Sequence, residues 1–310
     1  MNINELLHIK YPLIQGGMAN IATGAFAASV SNAGGLGLIG AGGMDVATLK
    51  ENIQECRRLT DKPFGVNIML LNPFASEMAQ VVIDMEVPIV TTGAGNPGPY
   101  VKAWKEAGIL VLPVVPTVAL AKRVARNGVD GIIVEGCEAG GHIGELTTMA
   151  LVPQVVNAVD IPVIAAGGIA SGKQMLAAFA LGASGVQVGT CLLTSDECPI
   201  HENYKQAILK AKDSDTIVTG RIGGTPVRIL KNKMSKEYVR KEKEGATLEE
   251  LEIYTLGSLK KAVVEGDIIN GSLMAGQVAG LITECKPVKE IIEQLFKEYK
   301  ETYQLLASEV

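Results

Sequence analysis

The chain has 310 residues, 47% hydrophobic and 20% charged, which suits one α/β barrel with an insertion better than two ordinary domains. A net charge of −5 and only 4% aromatic residues exclude a phosphate-backbone binder and leave few rings to stack on bases, so no nucleic acid partner is expected. The 35 glycines follow no three-residue period, which excludes a collagen-like chain, and the five cysteines contain no CxxC pair, giving neither a zinc site nor a disulfide framework.

The opening segment, MNINELLHIKYP, lacks a basic stretch followed by an apolar core, so no secretory leader is expected. Ile109 to Ala121, the longest apolar stretch, is broken by Pro113 and Pro116 and is too short to cross a bilayer. These features predict a cytoplasmic protein with no membrane partner and no metal.

Short β-branched runs then alternate with longer amphipathic segments. Strands are predicted at Pro12–Gln15, Gly35–Gly40, Phe64–Met69, Val87–Thr92, Ile109–Val115, Gly131–Glu135, Pro162–Gly167 and Gly185–Gly189. Helices are predicted at Val46–Leu59, Pro73–Met85, Val118–Asn127 and Gly172–Leu181. The strands are nearly continuous apolar runs, as a parallel sheet buried on both faces requires. Their number, and the lack of a GxGxxG turn after the first, favour a closed (β/α)8 TIM barrel over a doubly wound sheet. After Thr194 the repeat stops and charge rises. Arg221–Leu230 reads as extended and Ser235–Lys261 as helical; apolar character returns at Ile268–Thr283, before a last helix from Pro287 to Leu306. The expected division is a barrel of residues 1–195 and 268–310 with a smaller lid, 196–267, inserted.

Barrel chemistry sits at the C-terminal ends of the strands. Gly167 and Gly168 after the seventh predicted strand, with Gly189 and Thr190 after the eighth, offer bare backbone N–H groups where barrels bind a phosphate. That signal fits a flavin mononucleotide, another nucleotide or a sugar phosphate. His142 lies in a glycine-rich segment, GCEAGGHIG, after the sixth strand, where an imidazole can polarise or protonate a carbonyl; His8 and His201 read as structural. Cys137 and Cys191 have no evident base beside them and read as small core residues.

The opening IQGGM, GGHIG, AGGI and VGT together resemble the nitronate monooxygenase superfamily of FMN barrels. Within it, TTGAGNP, EAGGHIGELTT and GSLMAGQVAGLI are most similar to the FMN-dependent enoyl-acyl-carrier-protein reductases (FabK type). Nitronate monooxygenases often carry GGHRG, and Ile143 stands here where that arginine falls. The resemblance implies FMN contacts from Gly17, Met18, Asn67, Glu135, Gly140, Gly141, Gly167, Gly168, Gly189 and Thr190, with Met274 and Gln277 approaching from the returning segment and His142 as the catalytic residue. It also implies NAD(P)H as hydride donor, an acyl carrier protein as partner and a homodimer. The alternative within the superfamily is oxidation of alkyl nitronates with FMN and oxygen. From Arg228 to Lys243 seven basic residues face two acids, Glu237 and Glu242, a local charge of +5. In the expected lid, that run would suit an acidic carrier protein.

Overall fold

The computed structural model describes residues 3–222 and 224–309. Among the described residues there are eleven strands: β1 Leu13–Gln15, β2 Gly37–Gly40, β3 Phe64–Met69, β4 Ile89–Gly93, β5 Leu110–Val115, β6 Ile132–Glu135, β7 Gly141–His142, β8 Val163–Ala166, β9 Gly185–Val188, β10 Thr216–Thr219 and β11 Val227–Leu230. Eight of them form one parallel sheet in the order β1-β9-β8-β6-β5-β4-β3-β2, with helices between successive strands, and curl into a (β/α)8 barrel.

The seam between β1 and β2 is held by three hydrogen bonds. Leu36 N donates to Leu13 O at 2.8 Å, and Gln15 N donates to Leu36 O at 2.9 Å. Beyond the end of β1, the Gln15 side chain takes over as acceptor: Leu38 N donates to Gln15 Oε1 at 3.2 Å. A polar side chain thus continues the ladder where backbone has run out, and a buried N–H keeps its partner.

Alternation along the strands divides the apolar residues between two cores. Ile14, Leu38, Ile89, Leu112, Ile133 and Ile164 fill the barrel interior, which Ile3 and Leu7 of the helix Ile3–Leu7 plug at the N-terminal end of the strands. Leu13, Ile39, Val66, Val90, Val111, Val134, Ala165 and Val186 face the surrounding helices. The interior is therefore solid at one end, and polar or open only at the other.

Beyond β9 the expected extended and helical segments take a more broken form. β10 and β11 form an antiparallel hairpin, and β11 pairs in turn with β7. Helices Lys233–Lys243 and Leu248–Thr255 follow, and Gly245 and Gly257, both at positive φ, interrupt what reads as one helix in sequence. Ile229, Met234, Tyr238 and Leu251 form a small core of their own. The helix Glu202–Leu209 instead sends Tyr204 and Ile208 into the main core. The final helix, Val288–Glu309, packs on the helix Gly172–Ala180, where Glu298 Oε2 accepts from Gly172 N at 2.7 Å.

Candidate functional site

A cavity of about 770 Å³ opens at the C-terminal ends of the barrel strands. A second depression of about 530 Å³, beside Asp130, Asp160 and Pro162, lies at the opposite end of the barrel. That end carries stability rather than chemistry in this fold.

Gly167 and Gly168 both sit at positive φ, 89° and 72°, so the turn after β8 needs glycine for its backbone alone. At Gly167 a Cβ would also lie 2.7 Å from Gly136 O, which packs this turn against the start of the histidine loop. Gly189 is different. A Cβ there would meet only Met18 Sδ, at 3.6 Å, so what its bareness preserves is space in the cavity. Thr190 lines the same corner, its hydroxyl oxygen accepting from Gly276 N at 2.9 Å.

On the other side of the cavity are Gly17, Met18 and Asn67. Asn67 donates through Nδ2 to Thr91 Oγ1 at 2.8 Å and presses against Gly17, where any Cβ would overlap the amide. Gly140, Gly141, His142, Glu135 and Met274 complete the wall. Of the residues expected at the site, only Gln277 stands off the cavity. Its side chain is exposed, while its backbone N–H donates to Glu138 O at 2.9 Å.

His142 is not on a free loop. β7 is Gly141–His142, paired antiparallel with β11 so that Val227 faces His142 and Arg228 faces Gly141. Ile143 N donates to Pro226 O at 3.1 Å and extends the ladder. Arg228, counted above among surface charges, is in fact 6% exposed. Its Nε and Nη2 donate to Cys137 O at 3.1 and 2.9 Å, and its Nη1 to Thr216 Oγ1 at 3.0 Å. The hairpin therefore grips the histidine segment at both ends. Glu138 anchors the middle, accepting from Thr148 N and Thr148 Oγ1 at 3.0 Å.

Two residues with structural reasons to matter were not singled out from sequence, Gln187 and Glu138, and Arg228 was read there only as part of the basic run. Gln187 is 7% exposed, lines the cavity, and its Oε1 has no hydrogen-bond partner among the described residues. The register aligns Glu135 with Ala166 and Ala166 with Gln187, so two polar side chains face inward across a small residue. The available signal was the amide itself, standing inside the apolar strand GVQV.

Burial sets the charges. Glu135 has no opposing cation, and desolvation pushes its carboxyl up to about 8, so it is neutral at pH 7. His142 is accessible from the cavity, but the surrounding protein lowers its pKa below the ordinary 6.5, so it too is neutral at pH 7. Burial and the neighbouring Glu138 raise the Cys137 thiol, and burial pushes Cys191 up to about 12, so neither is a thiolate nucleophile.

The Glu135 carboxyl makes stability depend on pH. In the unfolded chain it ionises near 4.5, in the folded chain near 8. Between those values the folded state binds the extra proton, so the ligand-free protein loses stability as pH rises through this window. Glu135→Gln should therefore raise Tm at pH 8 and leave it unchanged at pH 4, read by circular dichroism. An equal Tm difference at both pH values would show that the carboxyl is not desolvated.

The family model described as nitronate monooxygenase matches residues 2–82 and 77–298. A probable nitronate monooxygenase of Staphylococcus saprophyticus is 37% identical over 289 residues, covering 78% of this chain and 80% of that protein. An octahydro-1H-indene-4-carboxyl-CoA dehydrogenase of Rhodococcus jostii is 31% identical over 328 residues, covering 94% of this chain and 93% of that one. The solved structure of FabK from Thermotoga maritima superimposes with a TM-score of 0.97 at 50% identity, covering 99% of this chain and 98% of that one. With a family model that matches nearly the whole chain and a relative 37% identical over more than two thirds of it, the chain belongs to the nitronate monooxygenase family of flavin-dependent oxidoreductases.

Proposed function

We propose that this protein is an FMN-dependent enoyl-acyl-carrier-protein reductase, a cytoplasmic enzyme that uses NAD(P)H to saturate a trans-2-enoyl thioester. The observation that carries the reading is 50% identity to FabK of Thermotoga maritima along nearly the whole of both chains. The acyl carrier protein as partner, a homodimeric state and a lid built from residues 196–267 belong to the same reading.

The residues present fit FMN. The turns at Gly167, Gly168 and Gly189 would cradle its phosphate, and Gly189 keeps open the space a Cβ would take. The unpartnered Gln187 Oε1 and the neutral Glu135 carboxyl would meet the polar edge of a ring system in the barrel mouth. When bound, the flavin supplies hydride transfer from the nicotinamide donor to the β-carbon of the enoyl chain.

The protein's own work is positional and electrostatic. His142, neutral at pH 7, would donate a ring N–H to the thioester oxygen as negative charge gathers there. A positioned donor of this kind contributes about 10²–10³ in rate. The hairpin holding Gly141 and His142 would keep that donor in register and help exclude water.

A second reading, oxidation of an alkyl nitronate, is favoured by the family match and by a histidine whose lowered pKa suits a base. The two readings separate on one assay. Rapid oxidation of propionate-3-nitronate by oxygen without NAD(P)H, together with no consumption of NAD(P)H on crotonyl thioesters, would overturn the reductase.

Exposed Lys233, Lys236, Arg240 and Lys243 fall on one face of the helix Lys233–Lys243, although Arg240 already pairs with Glu244 at 2.8 Å. This stripe would speed encounter with an acidic carrier protein. Reversing Lys236 and Arg240 to glutamate should raise KM for the carrier-bound substrate and leave the coenzyme A thioester nearly unaffected; equal effects on both would make the stripe ordinary surface.

Gly189→Val places a Cβ that meets only Met18 Sδ, at 3.6 Å, and carries its methyl groups toward the expected phosphate position. It should yield a folded protein without the yellow flavin spectrum, and full occupancy would move the phosphate elsewhere. His142→Ala should keep FMN and its reduction by NAD(P)H, while reoxidation by crotonyl thioester slows by about two orders of magnitude. An unchanged reoxidation rate in stopped-flow would remove His142 from the mechanism.

A further inference from the structure

The cavity is larger than the barrel mouth. Beyond the glycine rim it runs past the loop after β4, where Gly95 and Pro97 line it, and over the top of β5. Its wall there includes Val115 and Val124, both 3% exposed and both part of the core outside the barrel rather than inside it. The cavity therefore reaches sideways, as an arm, past the end of β5 to the helix Val118–Ala125. Leu120, 40% exposed, marks its opening to solvent.

Arg123 lies on this arm and is exposed. It is the one Lys or Arg among the described residues that line the cavity. It makes no ion pair among those residues. Glu135 is held neutral by burial, and the Glu138 carboxylate is turned to Thr148 N and Oγ1 and makes no ion pair with Arg123. An unpaired guanidinium at the solvent end of an otherwise apolar arm suits an uncharged chain with an anionic end, and the thioester substrate of the reductase reading supplies one. That ligand is an uncharged, flexible chain ending in a phosphate, which the planar fork can take with two parallel hydrogen bonds.

The place of this arm also matters. The glycine turns after β8 and β9 form one anion cradle, and β6 and β8 stand between β5 and β9 in the sheet. Arg123 thus offers a second anion position on a different part of the rim, connected to the first by the same cavity. We infer that Arg123 binds the phosphate of the incoming substrate, with the pantetheine arm of the enoyl thioester passing the end of β5 and its sulfur end directed to His142. The choice of ligand rests on the reductase reading. The nicotinamide donor also carries phosphate, so the shared chemistry is a phosphate ester or diphosphate, and experiment separates the two sources.

The test is calorimetric titration of the flavin-loaded protein with crotonyl-4′-phosphopantetheine, crotonyl-pantetheine and oxidised nicotinamide dinucleotide. The two thioesters differ by one phosphate. Arg123→Gln should weaken the phosphorylated thioester roughly three- to tenfold, as expected for a charge-assisted contact near solvent, and leave crotonyl-pantetheine unchanged. Lys122→Gln, an exposed neighbour off the cavity, should change neither. Weakening of the dinucleotide alone would keep the anion site and assign it to the hydride donor, overturning the thioester placement. Equal weakening of both thioesters, or no weakening of any ligand, would overturn the site. Turnover is read separately: a wild-type protein that binds crotonyl-4′-phosphopantetheine but never reduces it with NAD(P)H would overturn the reductase reading while leaving the Arg123 site standing.

Discussion

Two backbone pairings, Gly141 with Arg228 and His142 with Val227, hold the single rim histidine against a hairpin that the chain forms only after the eighth barrel strand. Without them the segment from Glu135 to Gly144 would be a long glycine-rich excursion with little to fix its course, because glycine gains most from staying unfolded. The pairing converts that excursion into the edge of a three-stranded sheet. Arg228 reinforces it from within, because a buried guanidinium must find acceptors and here the Cys137 carbonyl and the Thr216 hydroxyl supply them.

The barrel contributes a second constraint through its asymmetry. One end of the interior is packed with Ile14, Leu38, Ile89, Leu112, Ile133 and Ile164 and plugged by Ile3 and Leu7. The other end carries Asn67, Thr91, Glu135 and Gln187 on the inward faces of strands that are otherwise apolar. Polar groups at that depth are costly unless something meets them, and Gln187 Oε1 has no partner among the described residues. The same depth keeps the Glu135 carboxyl uncharged at pH 7.

Side-chain burial also redistributes what the sequence presents as a single basic run. Arg228 turns inward and becomes part of the histidine support, while Lys233, Lys236, Arg240 and Lys243 remain outside on one helical face. The period of the helix separates them. Positions three and four apart share a face, and the intervening Met234, Tyr238 and Glu242 are buried.

The sequence by itself determined the barrel, because eight apolar runs at a steady spacing, each flanked by a helical segment, leave little else for a chain of this length to form. It also determined the rim glycines at 167, 168 and 189, since strand ends are local features and glycine marks them directly. Only the tertiary structure decided the rest. That β7 exists depends on a partner far along the chain, and a two-residue strand has no periodicity to read. The burial of Arg228, the exposure of Gln277 and the missing partner of Gln187 depend on what stands opposite each side chain. So does the side arm at Arg123, formed where a loop, a strand and a helix meet. Periodicity records which face of an element is apolar. It does not record what that face meets.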